Sequence, residues 1–490
     1  MLSVLELNGW ADDWREQRVL VLGLGVTGFA IADTMWELGA EVLVVTSSAS
    51  NEQAEILKTI GVGVELVETE ETGVRFLNDF APTFLAVSPG IKPNHPLVVA
   101  ATKNEIPVLS EIELAWRLRD KVKSSEWILV TGTNGKTTTT QLTALMLEKA
   151  GFRAAPVGNI GTPVLDAIRD PEGFDFLVVE LSSFQLHWLP TDGPGALAPI
   201  ASTILNIADD HLDWHGSSEA YRSAKAKVYS KTVKAVVYNR ADQSTLELAR
   251  EAEVMDGCEA IGFGLLTPDT GELGTIEGLL VDRAFVSDRR NNAQELYTVD
   301  RLAERGMATP HMIANVLAAA GLALASGATS GAIASAIDDF TVDHHRCETV
   351  LESAGVTWVD DSKATNAHAA NASLRAFPSI VWIVGGLLKG TQLDELVQAH
   401  ASRLRGIVVI GVDREEPLRA ITAWAPEVPV VEVDADDVMS AAVSAAEKMA
   451  KPGDTVLLAP AAASMDQFVD YGDRGDKFKH AVLTIVGEEK

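Results

Sequence analysis

Lys136 stands in Gly132-Thr133-Asn134-Gly135-Lys136-Thr137-Thr138, a run whose residue types suit the binding of a polyphosphate. Gly135 lets backbone N–H groups approach phosphate oxygens, Lys136 can reach the β- and γ-phosphates, and the Thr137 hydroxyl can touch Mg²⁺. The strict pattern has another glycine five positions before Gly135; that position is Val130, and the nearest earlier glycine is Gly132. Magnesium also needs hard oxygen ligands. Glu180 ends the apolar run FDFLVVE and is followed by Ser182, Ser183 and Gln185. Residues 204–216, ILNIADDHLDWHG, supply Asp209, Asp210, His211 and Asp213 after another short apolar run. Plainer readings stand beside these: a strand-end glutamate on a solvated rim, and a loop of solvated charge.

A second glycine pattern, Gly23-Leu24-Gly25-Val26-Thr27-Gly28, follows a predicted strand and opens a predicted helix. In that setting the glycines admit a diphosphate to the helix N-terminus. An NAD site would place an acid at the end of the next strand, whereas this chain has Thr46, followed by Ser47 and Ser48. A dinucleotide cofactor is therefore disfavoured, and a nucleotide diphosphate or a ligand-free turn remain open. Ser88-Pro89-Gly90 follows a third strand and could line the same crevice, although a turn explains it equally well.

The elements that must carry these loops alternate short apolar runs with helical patterns, the rhythm of parallel βαβ units. Strands are predicted over residues 18–22, 41–45, 84–87, 127–130, 176–179, 235–238, 357–359, 380–384, 407–410 and 455–458, with helices over 27–38, 51–60, 136–150 and 310–326. Between residues 257 and 300 the pattern becomes a glycine-punctuated meander. A polar run near 121–125 marks a first boundary and a second lies near 339–343, and 490 residues suit about three domains. The formal charge of −29 argues against nucleic acid as a partner. Two cysteines, no long apolar run and an acidic N-terminal stretch argue for a cytoplasmic protein with no membrane segment or secretory signal.

Together, GTNGKTT, VVELSSFQL, ILNIADDHLDWHG with YRSAKAKVY, HHRCE, DDSKATN and APAAASMDQFVDYGDRGDKF resemble the Mur ligases of peptidoglycan synthesis, over essentially the whole chain. Those ATP-dependent amide-forming enzymes share the loop TGTNGKTT. Within the family, GLGVTG, SPGI at 88–91 and AASMDQF point to the branch that adds D-glutamate to UDP-N-acetylmuramoyl-L-alanine. The resemblance implies an α/β fold of three domains: a Rossmann-like UDP-binding domain (1–122), a P-loop ATP-binding domain with a small meander (123–341) and a Rossmann-like amino-acid-binding domain (342–490). It also implies ATP as a substrate, two Mg²⁺ ions with Mn²⁺ as a substitute, a monomer, and domain closure about residues 121–125 and 339–343.

By the same resemblance, Lys136, Glu180, His211 and Lys225 are catalytic, and Thr137, Glu180, His211 and Lys225 hold metal, Lys225 as a carbamate. Read without the family, Lys225 is an exposed helix lysine. ATP falls to Gly132, Thr133, Asn134, Gly135, Lys136, Thr137, Thr138, Asn239, Arg346, Asp361 and Lys363. The UDP substrate falls to Gly23, Gly25, Val26, Thr27, Gly28, Thr46, Ser47, Ser88, Gly90, Asn159, Ser183 and Gln185, and D-glutamate to Thr365, Lys389, Ser464, Met465 and Tyr471. A dicarboxylate does need a cation and hydroxyl donors, which Lys389, Ser464 and Thr365 supply, although Ser and Thr are also common helix caps. Thr46, Met312 and Leu387 depart from the family pattern, and the insert at 264–278 is longer than expected. Folate-polyglutamylating relatives would share the ATP loop but not a ligand-type loop at 23–28. A catalytically silent relative would have lost one of Lys136, Glu180, His211 and Lys225; all four are present.

Overall fold

A computed structural model describes residues 3–47, 52–67, 69–342 and 344–487; Ser48, Asn51 and Asp343 lie outside the described residues. The chain is a three-domain α/β protein built on three sheets. Two compact units contain them: Met1–Ile207 with Arg222–Phe340, and Ala208–Tyr221 with Thr341–Lys490.

In the first unit a five-stranded parallel sheet has the order Gly63–Leu66, Glu41–Thr46, Arg18–Leu22, Phe84–Val87, Val108–Ser110. The chain enters at Arg18–Leu22 and builds outward on both sides, so the loop after Leu22 lies where the strand order reverses. That switch point is where open parallel sheets receive ligands.

A nine-stranded sheet follows, with Ala154–Gly158 at one edge, then Phe176–Glu180, Glu126–Thr131, Ala201–Ile204, Ala235–Asn239, Glu259–Phe263 and Glu272–Ile276, all parallel. Leu279–Asp282 and Gln294–Thr298 complete it as an antiparallel meander. Helices cover its central strands, which explains why FLVVE in Phe176–Glu180 is buried at every position and reads as a continuous apolar run. Helices Lys136–Lys149 and Pro310–Ala325 pack together across it.

The polar run 121–125 is fastened within this unit. Lys121 pairs with Glu37 and Lys123 with Asp175, and Ser125 Oγ donates to the Phe174 carbonyl at 2.9 Å. Arg169 bonds Asp33, Glu37 and Asp166, and one apolar core runs through Trp116 and Trp127, stacked edge to face at 5.2 Å. A run of this composition looks like a linker, but charge pairs at Lys121 and Lys123 and the Ser125 hydrogen bond hold it.

The second unit carries a six-stranded sheet: Glu348–Ser353, Val356–Asp360, Thr455–Leu458, Ile380–Gly385, Leu404–Ile410 and Val430–Glu432, parallel except for the first pair. Among the described residues no helix is long and apolar enough to cross a membrane.

Candidate active site

The phosphate-type loop joins Glu126–Thr131 to Lys136–Lys149 at the carboxyl end of the central parallel strands. Gly132 has φ +156° and Gly135 φ +85°, values that side chains with a Cβ rarely adopt. Space closes on both glycines too. A Cβ on Gly135 would lie 2.4 Å from Asn315 Oδ1, and one on Gly132 would lie 3.0 Å from Leu205 Cβ. The loop is therefore gripped by the helix Pro310–Ala325 on one side and by the chain after Ala201–Ile204 on the other. Thr133 N donates to Asn206 O, Asn134 N to Asn206 Oδ1 at 2.9 Å, and Asn206 Nδ2 to Asn134 O at 3.0 Å. Nothing in the sequence marks Asn206, because its part depends on how two loops meet at the ends of adjacent strands and leaves no composition signal.

Lys136 Nζ donates to the carbonyls of Gly132 and Thr133, both at 3.0 Å. Lys225 Nζ reaches the same Gly132 carbonyl at 2.9 Å and lies 3.3 Å from Thr131 Oγ1. Far from being an exposed helix lysine, Lys225 is 1% exposed. Tyr221, Ala224 and Val228 are also buried, so helix Ser218–Ala226 and the turn after it turn this face inward at helical spacing. The 221–225–228 period was the available signal, and the charge of lysine hid it. Two ammonium groups that share one carbonyl oxygen repel each other at close range.

Glu180 lies in the adjacent strand, in register with Val130. It is 1% exposed; Oε1 accepts the Asn159 amide at 2.8 Å, while Oε2 is buried with no hydrogen-bond partner. A buried carboxylate oxygen without a donor is costly and suits a cation. The Glu180 carboxylate and the Thr137 hydroxyl are both of the hard-oxygen type that magnesium takes, while among the described residues no three His, Cys, Asp or Glu side chains gather into a metal-binding group. Ser183 is buried at the start of helix Ser183–His187. Gln185 closes a capping box there, its Oε1 accepting the Ser182 N–H at 2.9 Å and its own N–H donating to Ser182 Oγ at 3.2 Å. Asn239 Nδ2 donates to the Leu205 carbonyl at 2.9 Å and Asn239 Oδ1 accepts the Ala241 N–H, so this amide braces the neighbouring loop.

At the first sheet's switch point, helix Val26–Glu37 starts with no side chain capping its N-terminus, and a Cβ on Gly25 would meet nothing within 4 Å. Gly28 packs so closely that a Cβ there would lie 2.0 Å from the Gly23 carbonyl. Ser88 Oγ sits against Gly23. Val26, Ser47 and Gly90 are exposed, Thr27 is half-buried and Thr46 is buried at its strand end. The helix N-terminus thus carries no side-chain cap at the place that receives anions in such folds.

In the second unit, His211 has φ +55° and its N–H donates to Asp210 Oδ1 at 2.9 Å. His345 also has positive φ; its Nδ1 lies 2.6 Å from Asp360, whose carboxylate raises the imidazole pKa. Arg346 Nε is buried without a hydrogen-bond partner. Burial pushes Asp361 up to about 7, although Ser373 and the Cys347 N–H donate to it. Lys363 lies 3.7 Å from the Tyr471 ring centroid as a cation–π pair. Arg474, fully buried, donates to Ser362 Oγ, Ser362 O and the Ala462 carbonyl. It thereby ties the 360–366 loop, which carries Lys363 and Thr365, to the turn leading to Ser464. Leu387 and Ala463 exchange backbone hydrogen bonds, bringing the Lys389 loop to that same turn. Ser464 is buried, whereas Met465 is 62% exposed.

Residues 17–110 match the family described as "Mur ligase MurD-like, N-terminal domain", residues 130–323 "Mur ligase middle domain", and residues 345–462 "Mur ligase, glutamate ligase domain". The chain is similar to the UDP-N-acetylmuramoylalanine–D-glutamate ligase of Leifsonia xyli, 55% identical over 98% of this chain and 95% of that relative. The ligase of the same name from Mycobacterium avium is 43% identical over 96% of both chains. Among solved structures, UDP-N-acetylmuramate-alanine ligase from Thermotoga maritima aligns with a TM-score of 0.56 at 17% identity, over 96% of this chain and all of that one.

Proposed function

The chain belongs to the Mur ligase family, and from that premise we propose how its residues join D-glutamate to UDP-N-acetylmuramoyl-L-alanine. The reaction is an ATP-dependent, ADP-forming acid–amino-acid ligation, EC 6.3.2.9, in peptidoglycan precursor synthesis. The observation that carries this reading is the convergence of Lys136 and Lys225 on the Gly132 carbonyl, one strand away from the unsatisfied oxygen of Glu180.

A carboxylate is a poor electrophile, and its charge repels nucleophiles. An oxygen of the alanine carboxylate attacks the γ-phosphorus, the bond to the β-phosphate bridging oxygen breaks, and ADP leaves. The D-glutamate amine then attacks the acyl-phosphate carbonyl, the carbon–oxygen bond to phosphate breaks, and the amine loses its proton. Lys136 and the loop N–H groups at 132–138 hold and screen the phosphates, so positioning and electrostatics supply most of the acceleration. Magnesium, when bound, neutralises phosphate charge; Thr137, Glu180, His211 and Lys225 are the residues proposed to hold it. Manganese would fit the same hard oxygens.

Lys225 is proposed to act as a carbamate: its amine forms an N–C bond to carbon dioxide and loses a proton. That exchanges a buried cation beside Lys136 for an anion. Asn239, Arg346, Asp361 and Lys363 are assigned to ATP, Asn239 through the loop it braces. Gly23, Gly25, Val26, Thr27, Gly28, Thr46, Ser47, Ser88, Gly90, Asn159, Ser183 and Gln185 are assigned to the UDP substrate. Lys389, Thr365 and Ser464 would meet the two carboxylates of D-glutamate, with Met465 and Tyr471 beside them. We assign domains 1–122, 123–341 and 342–490 to the UDP group, ATP and the amino acid, in a cytoplasmic monomer that needs neither nucleic acid nor membrane.

The test is phosphate release from ATP with UDP-N-acetylmuramoyl-L-alanine and either enantiomer of glutamate. Release with D-glutamate alone is expected. No release with any muramoyl substrate overturns the reading.

A further inference from the structure

We propose that Asn206 is a positioning residue for the phosphate loop, a role that rests on the ATP reading of residues 132–138. The loop segment 133–134 lies between two glycines in left-handed or extended positive-φ conformations, which by themselves impose little order. Residue 206 supplies that order. Its carbonyl accepts the Thr133 N–H at 2.9 Å, its Oδ1 accepts the Asn134 N–H at 2.9 Å, and its Nδ2 donates to the Asn134 carbonyl at 3.0 Å. The side-chain amide therefore pairs with the peptide groups of residue 134 as a neighbouring strand would. Only a primary amide offers a donor and an acceptor at this spacing.

The residue is itself held from the far side. Asn239 Nδ2 donates to the Leu205 carbonyl at 2.9 Å, and Asp242 Oδ2 accepts the Ile207 N–H at 2.8 Å. Asp242 also caps helix Gln243–Glu251. A chain of polar contacts thus runs across the carboxyl ends of three adjacent parallel strands, from 239–242 through 205–207 to 133–134. A loop that binds anions through its backbone N–H groups depends on their direction, and this chain sets it. Asn206 touches no reacting atom in this account; it acts through residues 133 and 134.

The test compares the full-length enzyme with Asn206→Ala, Asn206→Asp and a control, Ser202→Ala. Ser202 lies in the strand Ala201–Ile204 that leads to Asn206, and its hydroxyl pairs with Thr232 at 2.7 Å, inside the core. Binding of MgADP is measured by titration calorimetry, KM values for ATP and D-glutamate by phosphate release, and folding by thermal melting. Losing two hydrogen bonds, Asn206→Ala is expected to raise the ATP KM and the MgADP Kd about tenfold, with the D-glutamate KM unchanged. Asn206→Asp keeps the shape and the acceptor but loses the donor and sets a charge against the Asn134 carbonyl, so it is expected to bind MgADP more weakly than Asn206→Ala. A residue that merely filled space would give the opposite order. Ser202→Ala is expected to lower the melting temperature and leave the ATP KM alone.

Wild-type nucleotide affinity in either Asn206 variant overturns the proposal. So does a parallel rise of both KM values matched by Ser202→Ala. If the wild-type enzyme neither binds MgADP nor releases phosphate, the ATP reading itself has failed.

Discussion

Lys225 shows how a single side chain can be misjudged from its type. Lysine is almost never fully buried unless it is paired, so the residue reads as solvated; yet it is 1% exposed and shares the Gly132 carbonyl with Lys136. Holding two cations at one oxygen is unfavourable unless one of them changes sign or an anion arrives. Carbamate formation does the first, and nucleotide phosphate does the second. Lys225→Ala is therefore expected to lose activity by a factor on the order of 10², and added formate or acetate is expected to restore part of it by filling the vacated volume with a carboxylate. Phosphate release decides the matter: an undiminished variant, or one that no short carboxylate improves, overturns the carbamate. Glu180 was easier to find, because it ends a run of buried apolar residues and a charge there interrupts the pattern.

Elements built from continuous apolar runs were legible, and edge elements were not. Phe84–Val87 and Thr455–Leu458 are buried at every position, and the predicted bounds coincide with the observed ones. Gly63–Leu66, Glu348–Ser353 and Val430–Glu432 lie at sheet edges, are half exposed and carry glutamates, so no apolar run marks them. Helix Glu111–Arg117 hid a different feature, since all seven of its residues are buried, including two acids and an arginine. Glu113 pairs with Arg117, which also donates to the Leu7 carbonyl. Glu111 pairs with no cation among the described residues: its Oε1 accepts the Leu165 N–H at 3.0 Å, and burial raises its pKa from 4.5 to about 7. Between those two values the folded chain keeps a proton that the unfolded chain has released, so this group's contribution to stability falls as pH rises through the window and is constant above it. Glu111→Gln keeps an acceptor for Leu165 and removes the buried charge. It is expected to be more stable than wild type at pH 8, by at most about 3 kcal/mol, with the advantage fading towards pH 5. Urea unfolding at both values measures this, and an equal difference at the two pH values overturns it.

For the molecule as a whole, charge and site pull in opposite directions. The chain carries a formal −29, while ATP, the UDP-linked substrate and D-glutamate are all anions. Composition alone could rule out a broad phosphate-binding surface, but it could not show where cations concentrate. That depends on tertiary placement of a few groups, such as Lys136 in the phosphate-type loop and Lys363 over Tyr471. At long range an approaching anion meets the summed negative field; only within the last few ångströms does it meet these cations. Screening therefore acts mainly on the repulsive part. The Debye length shortens from about 30 Å at 0.01 M salt to about 8 Å at 0.15 M, so added salt weakens the repulsion before it weakens the close contacts. Since D-glutamate approaches without an accompanying metal ion, its kcat/KM is the sensitive quantity. It is expected to rise about two- to fivefold over that range at constant free Mg²⁺, whereas a protein that steers anions with a basic surface would show a fall. A steady decrease in kcat/KM for D-glutamate with salt would mean that local cations govern the approach from the start and that the net charge is kinetically silent.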